Sequence, residues 1–254
     1  TENIKAVIIS HAHLDHAGFL PYLFKYGYNG PIYCTAPTRD VMALLQLDYI
    51  KVSHAQAKNA IYAAEDIKQV VKNTITLDYN EVTDITPDVR ITLHNAGHIL
   101  GSSMVHLHIG DGWHNVLYTG DFKTKATKLL NPGHWTFPRV ETLITESTYG
   151  APDDIMQPRE KSEKELVKLI KETIKRKGKV LIPVLGVGRA QEVMVILEEA
   201  FRKEKIKVPI YVDGMVWDVT AIHSAYPEFL NSYVRKLIFH KNENPFLSDV
   251  FKQV

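Results

Sequence analysis

Six residues near the start of the chain, His11-Ala12-His13-Leu14-Asp15-His16, bring three imidazoles and a carboxylate into one short segment. Neutral imidazole nitrogen and carboxylate oxygen are donors that zinc, manganese and iron accept, so the cluster reads as a divalent-metal site. The bland alternative is a solvated polar loop in a chain that has 12 histidines. Position decides between the two. The cluster follows directly on Val7-Ile8-Ile9, an apolar run that predicts a buried strand over Ala6–Ser10. A loop at the carboxyl edge of that strand presents His11 and His13, and Asp15 and His16 fall at the start of the next helix. Cys34 is the only cysteine, which excludes a cysteine-based metal site and an intrachain disulfide and leaves nitrogen and oxygen ligation, suited to hydrolysis. Cys34 itself is expected to be a small buried hydrophobe.

Two later segments offer further ligands. Ala96-Gly97-His98-Ile99-Leu100-Gly101-Ser102 sets a histidine in a glycine-flanked turn between two expected strands. Tyr118-Thr119-Gly120-Asp121-Phe122 sets a carboxylate just after another. Alone, each would be an ordinary turn residue. Together, three loops leave three strand ends and each carries a metal-ligand type.

In this order HxHxDH, GHxLGS and TGD resemble the second, third and fourth motifs of the metallo-β-lactamase superfamily. The resemblance implies that His11, His13 and His98 hold one metal, that Asp15 and His16 hold a second, and that Asp121 bridges the two. Two divalent ions about 3.5–4 Å apart share a water and lower its pKa toward roughly 7, and one carboxylate can offer an oxygen to each.

Beyond this point the chain resembles the β-CASP ribonuclease branch, most of all the archaeal homologues of the cleavage and polyadenylation specificity factor nuclease. Glu146-Ser147-Thr148-Tyr149-Gly150 matches the acid that opens the branch's inserted domain, although such a cluster could also be a plain turn. Pro183-Val-Leu-Gly186-Val-Gly188-Arg189-Ala-Gln191-Glu192, Ile210-Tyr-Val-Asp213-Gly-Met and Pro245-Phe246 match that insert. The implied activity is metal-dependent hydrolysis of single-stranded RNA, in 3′-end processing or transcription termination, with two zinc ions and with Asp15 and Glu146 in catalytic roles. RNA polymerase or processing factors are the implied partners, with a homodimer through regions outside this chain. The alternatives are another hydrolase of the same fold, acting on a thioester, lactone or tRNA precursor, and a non-catalytic RNA-binding scaffold. The first predicts no insert after Glu146, and the second predicts lost metal ligands.

The Gly186–Glu192 loop has a physical reading of its own. Glycines that open a helix expose backbone N–H groups at its positive end, a natural phosphate seat. Gly188 and Arg189 are therefore candidate RNA phosphate contacts, the arginine by a bidentate grip. A dinucleotide fingerprint is the rival, but Gln191 stands where its third glycine belongs. Simple strand–helix packing is the remaining alternative. The other histidines are kept out of the metal shell. His106 and His108 share a strand face expected to look toward solvent, and His54, His94, His114, His134, His223 and His240 lack carboxylates at telling spacing.

These groups need a scaffold of two kinds. Expected strands at Ala6–Ser10, Ile32–Thr35, Val89–Leu93, Met104–Ile109, Asn115–Thr119 and Leu143–Thr145 alternate with expected helices at Ala17–Tyr26 (aromatics inward), Pro37 to about Leu47, and His54–Val71. Gly110-Asp-Gly112 is the turn of a hairpin. After Ala151–Pro158, a proline- and aspartate-bearing stretch, helix Lys161–Lys177, strand Lys179–Pro183, helix Arg189–Lys203, strand Ile210–Val212 and a helix from about Met215 alternate in the manner of a parallel sheet. The fold class is thus α/β and α+β: a partial metallo-β-lactamase αββα sandwich over 1–157, lacking N-terminal strands, and an α/β β-CASP insert over 158–254. The family pattern includes an upstream aspartate and two downstream histidines not seen here. The sequence is therefore expected to be a piece of a longer parent, with its second metal short of a ligand.

Composition agrees with a packed globular protein. Of 254 residues, 45% are hydrophobic and 23% charged, and the formal charge of +1 confines any nucleic-acid surface to a local patch. No apolar run approaches the roughly 18 residues of a membrane span, and a cytoplasmic location is expected.

Overall fold

A computed structural model describes residues 1–254. The chain forms two compact units, residues 1–126 with 130–146, and residues 127–129 with 147–254.

The first unit opens with β1 (Val7–Ile8), the short helices α1 (Leu14–Ala17) and α2 (Leu20–Lys25), β2 (Ile32–Cys34), α3 (Ala36–Ala55), α4 (Ala64–Asn73) and β3 (Thr74–Thr76). It continues through β4 (Val82–Thr86), β5 (Val89–Asn95), β6 (Ser103–Ile109), β7 (His114–Tyr118) and β8 (Thr142–Ile144). Parallel strands β1-β2-β3 make one sheet; β4-β5-β6-β7-β8 make the other, antiparallel except for the parallel β7–β8 edge. Alternation along the strands sends Ile91, Leu93 and Val105 to one face. There they pack with Tyr33, Leu77, Ile8, Leu107 and Tyr118 in the interior of a two-sheet sandwich. Full burial of each such side chain contributes about 1.5–3 kcal/mol. Cys34 lies inside as expected, and burial pushes its thiol up to about 12.

Several expectations for this unit are corrected. The helix expected over Ala17–Tyr26 is two short ones, and Phe19 and Tyr26 are exposed rather than turned inward. They stack on Tyr22 at 4.8 and 4.6 Å between ring centroids. Helix α3 runs well past Leu47 because Val41, Met42 and Gln46 keep a buried stripe, Gln46 donating to the Ala17 carbonyl at 2.9 Å. The helix expected across His54–Val71 is interrupted: Ala57 takes φ +54°, and α4 starts afresh where Asp66 accepts the Ala63 N–H at 2.8 Å. Strands β3 and β4 were not anticipated.

His106 is also corrected, being 1% exposed. Register places Arg90, Thr92 and His94 on the same sheet face as His108, His106, Asn115 and Leu117. The connection after β7 covers part of that face, where Phe137 meets His94 and His106 edge-on and His106 Nε2 donates to the Arg139 carbonyl at 2.9 Å.

The second unit contains α5 (Arg159–Lys175), α6 (Arg189–Glu204), β9 (Ile210–Val212), α7 (Val216–Ala225), α8 (Ser232–Lys241) and β10 (Phe251–Gln253), with β9 and β10 paired in parallel. Ile170, Leu197 and Phe201 centre one core cluster, joined by Ile174, Ile182 and Ile210. The strand expected at Lys179–Pro183 does not form: Ile182 packs inward, but Leu181 is 92% exposed and the segment has no ladder partner. A strand needs a neighbour for its backbone groups, whatever its own propensity. No helix is long and apolar enough to cross a membrane.

Candidate metal centre

Three loops of the first unit converge. The chain leaves β1 with Ile9 N–H on the Tyr33 carbonyl at 2.9 Å, and the Ser10 carbonyl accepts both the Ser103 N–H at 2.7 Å and the Ser103 hydroxyl at 3.1 Å. The end of the first strand is thus tied to β6. His13 then sits at the N-terminus of α1, its carbonyl accepting from Ala17 N–H at 2.8 Å, with Asp15 and His16 in that single turn.

The His98 loop joins β5 to β6. Ser102 Oγ accepts the His98 and Ile99 N–H groups at 3.0 and 3.2 Å, and Asn95 accepts from Gly97 N–H. Gly97 has φ +70°, and a Cβ there would lie 2.7–2.8 Å from the backbone of Gly133 and Asn131, so only glycine fits. The Asp121 loop follows β7, anchored by Thr119 N–H on the Ile144 carbonyl at 3.0 Å.

His11, His13, His98 and Asp121 each offer one ligand atom, and these atoms all lie within 4.8 Å of one another. His98 Nε2 is 3.2 Å from His13 Nδ1 and 3.5 Å from Asp121 Oδ2, and His11 Nε2 is 3.9 Å from the same oxygen. A tetrahedral ion with bonds of about 2.0–2.1 Å spaces its ligand atoms roughly 3.3 Å apart. The other Asp121 oxygen, Oδ1, is 3.4 Å from His16 Nε2, which lies 3.5 Å from Asp15 Oδ2. The donor set therefore fits a metal. A second observation agrees: His11 Nε2 is buried and has no hydrogen-bond partner, a costly arrangement unless a ligand fills it.

Electrostatics favours the neutral, metal-binding form of the buried histidines. Burial pushes the His11 imidazole down to about 2, with His16, His98 and His13 acting in the same direction. Burial also lowers His13, against the raising pull of Asp15 and Asp121. Both shifts favour the neutral ring. Burial raises the Asp121 carboxyl; His16 opposes this, and Glu146 and Asp15 add to it.

Glu146 lies beside this cluster, its Oε1 accepting the Phe122 N–H at 3.4 Å, one residue past Asp121. Asp15, by contrast, turns a largely exposed side chain to solvent.

The Gly186–Glu192 loop, in the second unit, differs from expectation. Gly188 has φ +79°, but its N–H donates to Gln191 Oε1 at 2.8 Å, while Arg189 and Ala190 N–H donate to the Val187 and Leu185 carbonyls. These amides are satisfied within the loop, and the glycine serves the turn. Arg189 retains a half-exposed guanidinium held by Glu192 Oε2 at 3.4 Å, and the same buried carboxylate pairs with Arg159.

Two hydroxyls escaped the sequence reading: Ser10 Oγ is 3.2 Å from His11 Nδ1, and Tyr118 Oη is 3.4 Å from His16 Nδ1. The one available signal was adjacency, since Ser10 precedes the first motif and Tyr118 opens the third.

Comparison with known proteins gives the same picture. The Metallo-beta-lactamase superfamily domain matches residues 1–148, and the Beta-Casp domain matches residues 190–254. The chain is 56% identical over 253 residues to the transcription termination factor FttA of Methanococcus maripaludis, covering 100% of this chain and 40% of that protein. To the FttA of Thermococcus kodakarensis it is 59% identical over 252 residues, 99% of this chain and 39% of that protein. To the Lokiarchaeum FttA it is 54% identical over 253 residues, with 99% and 40% covered. The chain thus spans about 40% of the length of these relatives. Its three convergent ligand loops and these matches place the chain in the metallo-β-lactamase superfamily, as a metallo-β-lactamase domain followed by a Beta-Casp domain.

Proposed function

We propose that the protein is a metal-dependent ribonuclease that hydrolyses phosphodiester bonds of single-stranded RNA during 3′-end formation or transcription termination. The observation that carries the reading is the attitude of Asp121. One of its oxygens faces His11 and His98 within 3.5–3.9 Å, and the other faces His16 at 3.4 Å. A carboxylate so turned would serve both ligand sets. His11, His13 and His98 would hold the first zinc ion, and Asp15 and His16 would belong to the second.

When bound, the two ions supply an activated water and neutralise charge on the scissile phosphate. The side chains do the rest. Asp121 fixes the spacing of the two ligand sets. Glu146 is placed to orient the group that returns a proton to the leaving 3′-oxygen, giving a 5′-phosphate product. Arg189, half exposed and already steadied by Glu192, grips a backbone phosphate of the RNA. Residues 1–157 form the metallo-β-lactamase domain and 158–254 the Beta-Casp domain under this reading. The name of the relatives, transcription termination factor, supports the transcription machinery as partner and the cytoplasm as location.

The test uses the full-length protein. Asp121→Ala, incubated with labelled single-stranded RNA and zinc, loses at least roughly 100-fold in cleavage rate. Undiminished cleavage by that variant overturns the two-ion assignment.

A further inference from the structure

A neutral imidazole has one N–H and one lone pair, and which nitrogen carries the proton is set by what the other side of the ring meets. Metal-binding histidines usually donate their second ring N–H to a carboxylate, a carbonyl or a water. In His11 and His16 that second nitrogen meets a hydroxyl instead. We propose that Ser10 and Tyr118 are positioning residues that set the tautomers of His11 and His16, so that each ring turns a bare Nε2 toward its ion. The inference rests on the two-ion reading above.

At His11 the argument is one of elimination. Its Nε2 is buried and without a hydrogen-bond partner, so a proton there would be a buried donor with nowhere to go, at a cost of about 1–3 kcal/mol. On Nδ1 the same proton donates to Ser10 Oγ at 3.2 Å. Ser10 is itself held still, its carbonyl accepting the Ser103 N–H and hydroxyl. Gly120 completes the clamp: it has φ +51°, and a Cβ there would lie 2.8 Å from both Ser10 Cβ and Ser10 Oγ. The glycine of Thr119-Gly120-Asp121 thereby lets the Asp121 loop close on the hydroxyl that orients His11.

At His16 a hydroxyl again meets the second nitrogen, although Nε2 here is not orphaned. Nδ1 faces Tyr118 Oη at 3.4 Å, and Nε2 faces Asp15 Oδ2 at 3.5 Å and Asp121 Oδ1 at 3.4 Å. Tyr118 packs against the sandwich core through its ring, which leaves the hydroxyl little freedom. The two hydroxyls serve different ligand sets, so their effects are separable.

The experiment takes the metal-stripped full-length protein and titrates zinc against a chromophoric chelator, with zinc-to-protein ratios from elemental analysis. Ser10→Ala is expected to weaken the ion on His11, His13 and His98 by roughly 10- to 100-fold, and Tyr118→Phe to weaken the other ion by a similar factor. In a His16→Ala background, which keeps one ion, Ser10→Ala still weakens binding and Tyr118→Phe has no effect. Thermal unfolding of the metal-free variants stays near wild type if the role is positioning. Wild-type affinity in both variants overturns the proposal, as does an affinity loss fully matched by lost metal-free stability. Should Ser10→Ala not fold, the nearly isosteric Tyr118→Phe decides by the same criteria. A wild-type protein that binds no zinc refutes the two-ion reading itself.

Discussion

The first unit contains two histidine clusters that differ in what surrounds them. In one, His11, His13, His16 and His98 turn ring nitrogens toward Asp121 and toward one another, and a buried nitrogen of His11 goes unpaired. In the other, His94, His106, His108 and His134 lie on the outer face of the five-stranded sheet, and their partners are amides, hydroxyls and carbonyls. His94 bonds Asn80, His108 bonds Thr92 and Asn115, His106 bonds the Arg139 carbonyl and His134 the Thr136 carbonyl. His134 stacks on His94 with ring centroids 4.8 Å apart. Imidazoles alone do not make a metal centre. The difference lies in the shared carboxylate of Asp121, since His94 Nε2 is likewise buried without a hydrogen-bond partner.

The largest effect that separates the clusters is expected at His11. His11→Ala should lower RNA cleavage and zinc retention by roughly 100-fold or more, read by rate and by elemental analysis. A variant that keeps both would erase the distinction. Acid should act on the other cluster as well. Burial, with His134, His106 and His108, pushes His94 down to about 4 from 6.5. Between those values the unfolded chain binds a proton that the folded one refuses, so stability falls as pH drops from about 6.5 to about 4. The loss is on the order of 2–3 kcal/mol, and His94→Gln should flatten that part of the pH dependence of thermal unfolding.

His106→Ala should cost on the order of 2 kcal/mol of stability and leave zinc content unchanged, a direct inversion of the His11 result. The smallest contrast concerns two glycines. Gly120→Ala meets both a positive φ and the Ser10 side chain, whereas Gly112→Ala meets φ +84° and open space. Each should lose about 1 kcal/mol through backbone strain, but only Gly120→Ala should also weaken zinc binding.

The ligand loops were legible because their residue types are chemically distinctive and their positions follow apolar strands. Ser10 and Tyr118 were not, since a hydroxyl acquires its value only from the ring that folding puts against it. His106 was misplaced for a different reason. Alternation tells which residues share a sheet face, but not whether a connection without regular structure will cover that face. Nor does the glycine pattern show that Gln191, three residues on, reaches back to the Gly188 amide. Leu181 shows the converse limit, with strand-like residues and no neighbouring strand. The break at Ala57 had no sequence signal, as alanine ordinarily extends a helix.

Thr127–Leu129 imposes an order on synthesis. These three residues belong to the second unit, where Asn231 donates from Nδ2 to the Thr127 carbonyl and from its backbone N–H to the Leu129 carbonyl. Asn231 lies 104 residues downstream of Thr127. At about 5–20 residues per second the ribosome takes roughly 5–20 s to deliver it. Through that interval the Thr127 and Leu129 carbonyls lack the Asn231 donors of the finished fold. A polypeptide released at Glu146 would never acquire those two hydrogen bonds.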